Sequence, residues 1–91
     1  MSERALHAQV NGRVQGVGFR YFTQMTARQL GITGWVRNRM DGSVEVRAEG
    51  PADAIDSFLA YLQQGPASAN VTGVDSRSVE PEHTFDTFSV R

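Results

Sequence analysis

The stretch NGRVQGVGFRYF, Asn11–Phe22, sets Gly12, Gly16 and Gly18 between two different periodicities. Before it, ALHAQV (5–10) alternates, with Leu6, Ala8 and Val10 on one side and His7 and Gln9 on the other, the period of a half-buried strand. After it, Phe19, Phe22, Thr26 and Leu30 fall near one helical face, and Gly31 stands where a helix tends to end. The stretch therefore reads as a strand, a glycine-rich loop and a helix. Outward from there, TGWVRN (33–38) reads as a second strand, and RMDG (39–42) as a turn with Asp-Gly at its tip. SVEVRAE (43–49) alternates Val44, Val46 and Ala48 against Glu45, Arg47 and Glu49. A second helix lies between Pro51 and Gly65, with Ile55, Phe58, Leu59 and Leu62 as its apolar stripe. VTGVDSRSV (71–79) is a fourth strand, and FDTFSV (85–90) allows a short extra one.

The order strand, helix, strand, strand, helix, strand predicts an α+β, ferredoxin-like βαββαβ sandwich. Both helices should cover one face of an antiparallel sheet of order 4-1-3-2. In that arrangement the first and second strands run the same way, the second strand at the sheet edge. Their ends then lie at the same end of the sheet, so the glycine loop and Asn38 can face each other.

Composition narrows the function. The 91 residues suit one domain, 1–91, with one core. The absence of cysteine excludes disulfides and thiolate metal sites. All nine basic residues are arginines, which excludes lysine-dependent chemistry such as Schiff-base formation. A net charge of −1 argues against broad binding to nucleic acid or to an anionic membrane. MSERALHAQV carries no apolar run of signal-peptide or membrane-span length, so a soluble, cytoplasmic protein is expected; a monomer is expected as well. His7, on the outward face of a strand, and His83, in a loop, read as surface residues.

A glycine cluster followed by Arg20 suggests an anion site. The P-loop is ruled out, because its lysine is missing. The dinucleotide fingerprint fails because Tyr21 stands where a third glycine is needed. What remains is a compact cradle, in which the backbone N–H groups from Gln15 to Arg20 curl around one oxyanion at a helix N-terminus. Arg20 adds a planar fork able to bind two oxygens at once. On spacing alone the run serves equally well as a plain corner. Asn38 can hold a water through its amide, although taken alone it reads better as a residue chosen for turn chemistry.

Taken together, two motifs resemble the acylphosphatase family. Its first, G-x-V-Q-G-V-x-F-R, is met by Gly12, Val14, Gln15, Gly16, Val17, Phe19 and Arg20. Its second, G-W-V-x-N-x-x-D/N-G-x-V-E, is met by Gly34, Trp35, Val36, Asn38, Asp41, Gly42, Val44 and Glu45. AEGP and GPASANV extend the resemblance over nearly the whole chain. The resemblance implies hydrolysis of acyl phosphates, the mixed anhydrides of a carboxylic acid and phosphate, with no metal and no cofactor. It implies that Arg20 binds the phosphate, that Asn38 positions the water, and that the amides of Gln15, Gly16, Val17, Gly18 and Phe19 complete the cradle. Inorganic phosphate would then be both product and inhibitor.

Two other classes compete with this reading. One is a non-catalytic phosphate-binding module on the same fold. The other is an RNA-binding module that uses Trp35 and Tyr21 as a stacking platform. Arg20 and Asn38 occurring together favours catalysis. The closely spaced aromatics of the RNA-recognition consensus are missing from SVEVRAE.

Overall fold

The computed structural model describes residues 2–91; Met1, within the predicted domain, lies outside the described residues. In chain order the elements are β1 (Glu3–Arg13), α1 (Phe19–Gln29), β2 (Thr33–Asn38), β3 (Val44–Pro51), α2 (Ala52–Gln64), β4 (Asn70–Val79) and β5 (Phe88–Val90). They form one five-stranded sheet of order β4-β1-β3-β2-β5. The expected 4-1-3-2 core is present. However, β2 is not an edge strand, because β5 pairs with it in parallel, Gly34 opposite Phe88 and Val36 opposite Val90.

Register follows the alternation. Leu6, Ala8 and Val10 of β1 lie opposite Ala48, Val46 and Val44 of β3, and Val36 of β2 lies opposite Val46. These side chains form the helix-facing side of the sheet and are fully or nearly fully buried, with Ile55, Phe58 and Leu62 of α2 and Phe88 of β5 packed into the same core. Phe58 stacks edge-on to Phe88, with ring centroids 5.9 Å apart. Burying side chains of this size supplies about 1.5–3 kcal/mol each.

The buried stripe of α1 differs from the expected one. It is Phe19, Thr23 and Ala27, at i, i+4 and i+8, while Thr26 and Leu30 are half-buried and Phe22 is exposed. Counting apolar residues overlooks Thr23, whose hydroxyl finds a partner in the Tyr61 hydroxyl at 3.4 Å and so tolerates full burial. Phe22 packs instead edge-on against Tyr21, with centroids 5.3 Å apart.

Gly34 explains how β2 approaches β3. Its φ is +136°, and a Cβ there would run into the Arg47 backbone carbonyl. Relief would require β2 and β3 to separate. Gly34→Ala should therefore lower the unfolding free energy by about 2–4 kcal/mol, read by urea denaturation. An alanine variant as stable as the parent would show that this approach is not tight.

Candidate active site

Since β3 runs antiparallel to both β1 and β2, the latter two end on the same side of the sheet. The loop after β1 leads through Gly16 (φ +74°) to Gly18 (φ +78°, ψ +13°), which caps the start of α1 in the left-handed conformation. Residues with a Cβ rarely adopt these angles. No side chain caps the first turn of α1 and no acidic residue lies in it. The partial positive charge of that helix end is thus left available to an anion. Around the loop, Ser68 Oγ donates to the Val17 carbonyl at 2.7 Å.

Gly16, Gly18, Arg20 and Asn38 line one open cavity of about 330 Å³. Val14, Phe19, Tyr21, Gln24 and Val90 line it as well. The structure therefore brings Arg20 and Asn38 together with three of the five cradle residues named from sequence, Gly16, Gly18 and Phe19. The other two have different surroundings. Val17 is half-buried and packs against the core. Gln15 turns to the hairpin, where its Nε2 donates to the Arg39 carbonyl at 2.6 Å and to the Ser43 carbonyl at 2.9 Å. Those two carbonyls flank the β2–β3 turn, so Gln15 ties the glycine loop to the segment that carries Asn38.

Arg20 is fixed from its far side. Its Nη1 donates to the backbone oxygen of Arg91 at 2.9 Å, and Arg91 N in turn donates to Val36 O at 2.8 Å. That contact uses one of the five N–H donors of the guanidinium. One helical turn on, Gln24 Nε2 donates to the Phe88 carbonyl at 3.1 Å, a second clip between α1 and β5.

The segment around Asn38 is held from the helix-free face of the sheet. Glu45, in the middle of that face, accepts from Arg37 Nε at 2.6 Å, lies 3.4 Å from Arg39 Nη1 and meets His7 Nε2 at 2.6 Å. One carboxylate thereby grips both neighbours of Asn38. Burial, the largest single influence, pushes the Glu45 carboxyl upward, but hydrogen bonds from His7 and Arg37 together bring it below its ordinary value of 4.5. His7, expected on the surface, is half-buried by this contact. Within the turn, Ser43 N and Oγ donate to Asp41 Oδ1 at 2.9 and 2.6 Å, and these bonds, the hydroxyl's first, lower the Asp41 carboxyl.

Among the described residues, no three His, Asp or Glu side chains cluster as metal ligands, and no helix is long and apolar enough to cross a membrane. Trp35 and Tyr21 do not share a platform. Trp35 lies on the helix-free face under the guanidinium groups of Arg37 and Arg91, 5.3 and 5.0 Å from its ring centre, while Tyr21 stands on α1.

The acylphosphatase family profile matches residues 6–90. The chain belongs to the acylphosphatase family. The acylphosphatase of Salinibacter ruber is 48% identical over 90 residues, covering 99% of this chain and 95% of its own. The crystal structure of the Bacillus subtilis acylphosphatase superposes with a TM-score of 0.92 at 41% identity, covering 97% of this chain and 98% of that one. An acylphosphatase structure from Coxiella burnetii gives 0.93 at 38% identity, covering 98% and 93%. Family membership, together with identity near one half over most of the chain, assigns it acylphosphatase activity. A non-catalytic binding module is correspondingly disfavoured.

The lowered Glu45 carboxyl has a pH signature. A group with a depressed folded-state pKa contributes stability above its unfolded value and loses it as pH falls through the folded one. Glu45→Gln should thus cost about 1–3 kcal/mol at pH 7, since it weakens bonds to charged partners. The difference from the parent should shrink once pH drops below 4.5, the ordinary value. Denaturant titrations at pH 7 and pH 3 measure this, and a difference independent of pH would show that Glu45 is not stabilised as the anion.

Proposed function

We propose that the chain, a single cytoplasmic domain working as a monomer, hydrolyses acyl phosphates by direct attack of water on phosphorus. In this reading Arg20 and the amides of the Gln15–Phe19 loop hold the phosphoryl oxygens. Asn38 holds the water in line with the acyl leaving group. The new P–O bond forms from the water oxygen, the bond from phosphorus to the acyl oxygen breaks, and its electron pair leaves on the carboxylate. The water's proton passes to a phosphate oxygen, so the products are a carboxylate and inorganic phosphate.

The observation that carries this reading is the shared cavity of Arg20, Asn38 and the left-handed glycines at an uncapped helix start. Phosphoryl transfer depends on placement and charge stabilisation more than on covalent chemistry by the protein. A carboxylate leaves easily and needs no general acid. A site without a His–Asp pair or a protein nucleophile is therefore sufficient. The net charge of −1 argues against broad binding to nucleic acid. Product phosphate fits the same cradle and inhibits there.

The roles of Arg20 and Asn38 separate in kinetics. Arg20 meets charge present in both the bound substrate and the transition state. Arg20→Ala should raise KM, lower kcat and weaken inhibition by phosphate, and Arg20→Lys should restore little, because an ammonium lacks the fork. Asn38 meets only the water. Asn38→Ala should lower kcat roughly 100- to 1,000-fold while leaving phosphate inhibition near that of the parent. A folded Asn38→Ala protein with full turnover, or one that loses phosphate as badly as Arg20→Ala, would overturn this division.

A further inference from the structure

The phosphoryl group accounts for Arg20, Asn38 and the glycine loop, and leaves the acyl half of the substrate to the rest of the cavity. Four apolar side chains line that cavity. Val14 and Phe19 are each 1% exposed and belong to the core. Tyr21 and Val90 are 58% and 40% exposed, so they are the apolar surfaces that a ligand can reach. Both sit one residue from the Arg20–Arg91 hydrogen bond, Tyr21 after the guanidinium residue and Val90 before the residue that accepts from it. They thus border the phosphate fork from α1 and from β5.

Resting on the function proposed above, we infer that Tyr21 and Val90 form the acyl-binding rim and select an aromatic or bulky apolar acyl group over a small one.

The rim is built in advance. Gln24 to the Phe88 carbonyl and Arg20 to the Arg91 oxygen clip α1 to β5 on either side of Val90. The Phe22 ring meets that of Tyr21 at 74°, which restricts how the Tyr21 ring can turn. An acyl group laid on this surface meets an aromatic ring carried on only two rotatable torsions, so less ordering entropy is lost on binding than with a long flexible chain. The cavity, about 330 Å³, falls in the size range of small-molecule sites. Single exposed apolar residues are ordinary on protein surfaces. Two of them lining the cavity that also holds a fixed cation make a bipolar site, matched to a ligand with a phosphate at one end and an apolar group at the other.

The test compares benzoyl phosphate with acetyl phosphate on the intact chain. Intrinsic reactivity differs between the two substrates but cancels when each variant is compared with the parent on the same substrate. Tyr21→Ala should lower kcat/KM for benzoyl phosphate about tenfold, chiefly through KM, and change that for acetyl phosphate by less than about twofold. Tyr21→Phe keeps the ring face and should retain the parent's preference. Inhibition by inorganic phosphate should not move in either variant. Met25→Ala, at an exposed position on α1 outside the cavity, should behave as the parent with both substrates. Equal losses on both substrates, or none, with Tyr21→Ala would overturn the acyl rim while leaving the hydrolytic function intact. A parent protein that turns over neither substrate would instead overturn the function and the rim with it.

Discussion

The site depends on one side chain that does not line it. Gln15 spends both its amide protons on backbone carbonyls, those of Arg39 and Ser43, on either side of the β2–β3 turn. Sheet topology brings the ends of β1 and β2 to the same side, but topology alone sets their separation only loosely. The double hydrogen bond sets it within the tolerance of two N–H···O contacts. Because Gln15 opens the glycine loop and Arg39 follows Asn38, the tie fixes the glycine loop relative to Asn38. The in-line attack proposed above would be sensitive to that relation, since misplacement of the reacting groups by about 1 Å can cost a hundredfold in rate.

A second layer of support comes from the face of the sheet without helices. Surface ion pairs contribute little when both partners are solvated. Glu45 is different, being 7% exposed and in contact with His7, Arg37 and Arg39. Its long arginine partners cover it, so a strand face that is polar by alternation becomes nearly closed. Glu49, four residues along β3 on the same face, is likewise buried, accepting from the backbone N–H groups of Glu82 and His83 at 2.8 and 3.1 Å and anchoring the chain that leads to β5. These anchors matter to the site, because β5 supplies Val90 and the following residue holds Arg20.

The strands were legible because alternation leaves a mark in sequence, and β2 was delimited to the residue. That Arg20 and Asn38 would meet was legible through strand topology and the two motifs that frame them, and they line one cavity. The buried stripe of α1 was not, since Thr23 is polar and its burial depends on a hydroxyl from α2. The place of β5 was hidden for another reason: three residues carry no directional signal, so its parallel pairing with β2 has no trace in FSV. The Gln15 tie joins a side chain to two carbonyls 24 and 28 residues away. Any residue type supplies a carbonyl, so no pattern of residue types can announce it. The contact between Arg20 and the Arg91 oxygen was missed on the same ground.

Isotope transfer tests most directly whether the site is built for attack at phosphorus. Hydrolysis of an acyl phosphate in ¹⁸O-enriched water, with both products analysed by mass spectrometry, reports which bond the water forms. With the phosphoryl group held by Arg20 and the loop and the water aimed by Asn38, one ¹⁸O atom should appear in inorganic phosphate and none in the carboxylate. Label in the carboxylate would mean that water attacks the carbonyl carbon, and would contradict the roles assigned to both residues.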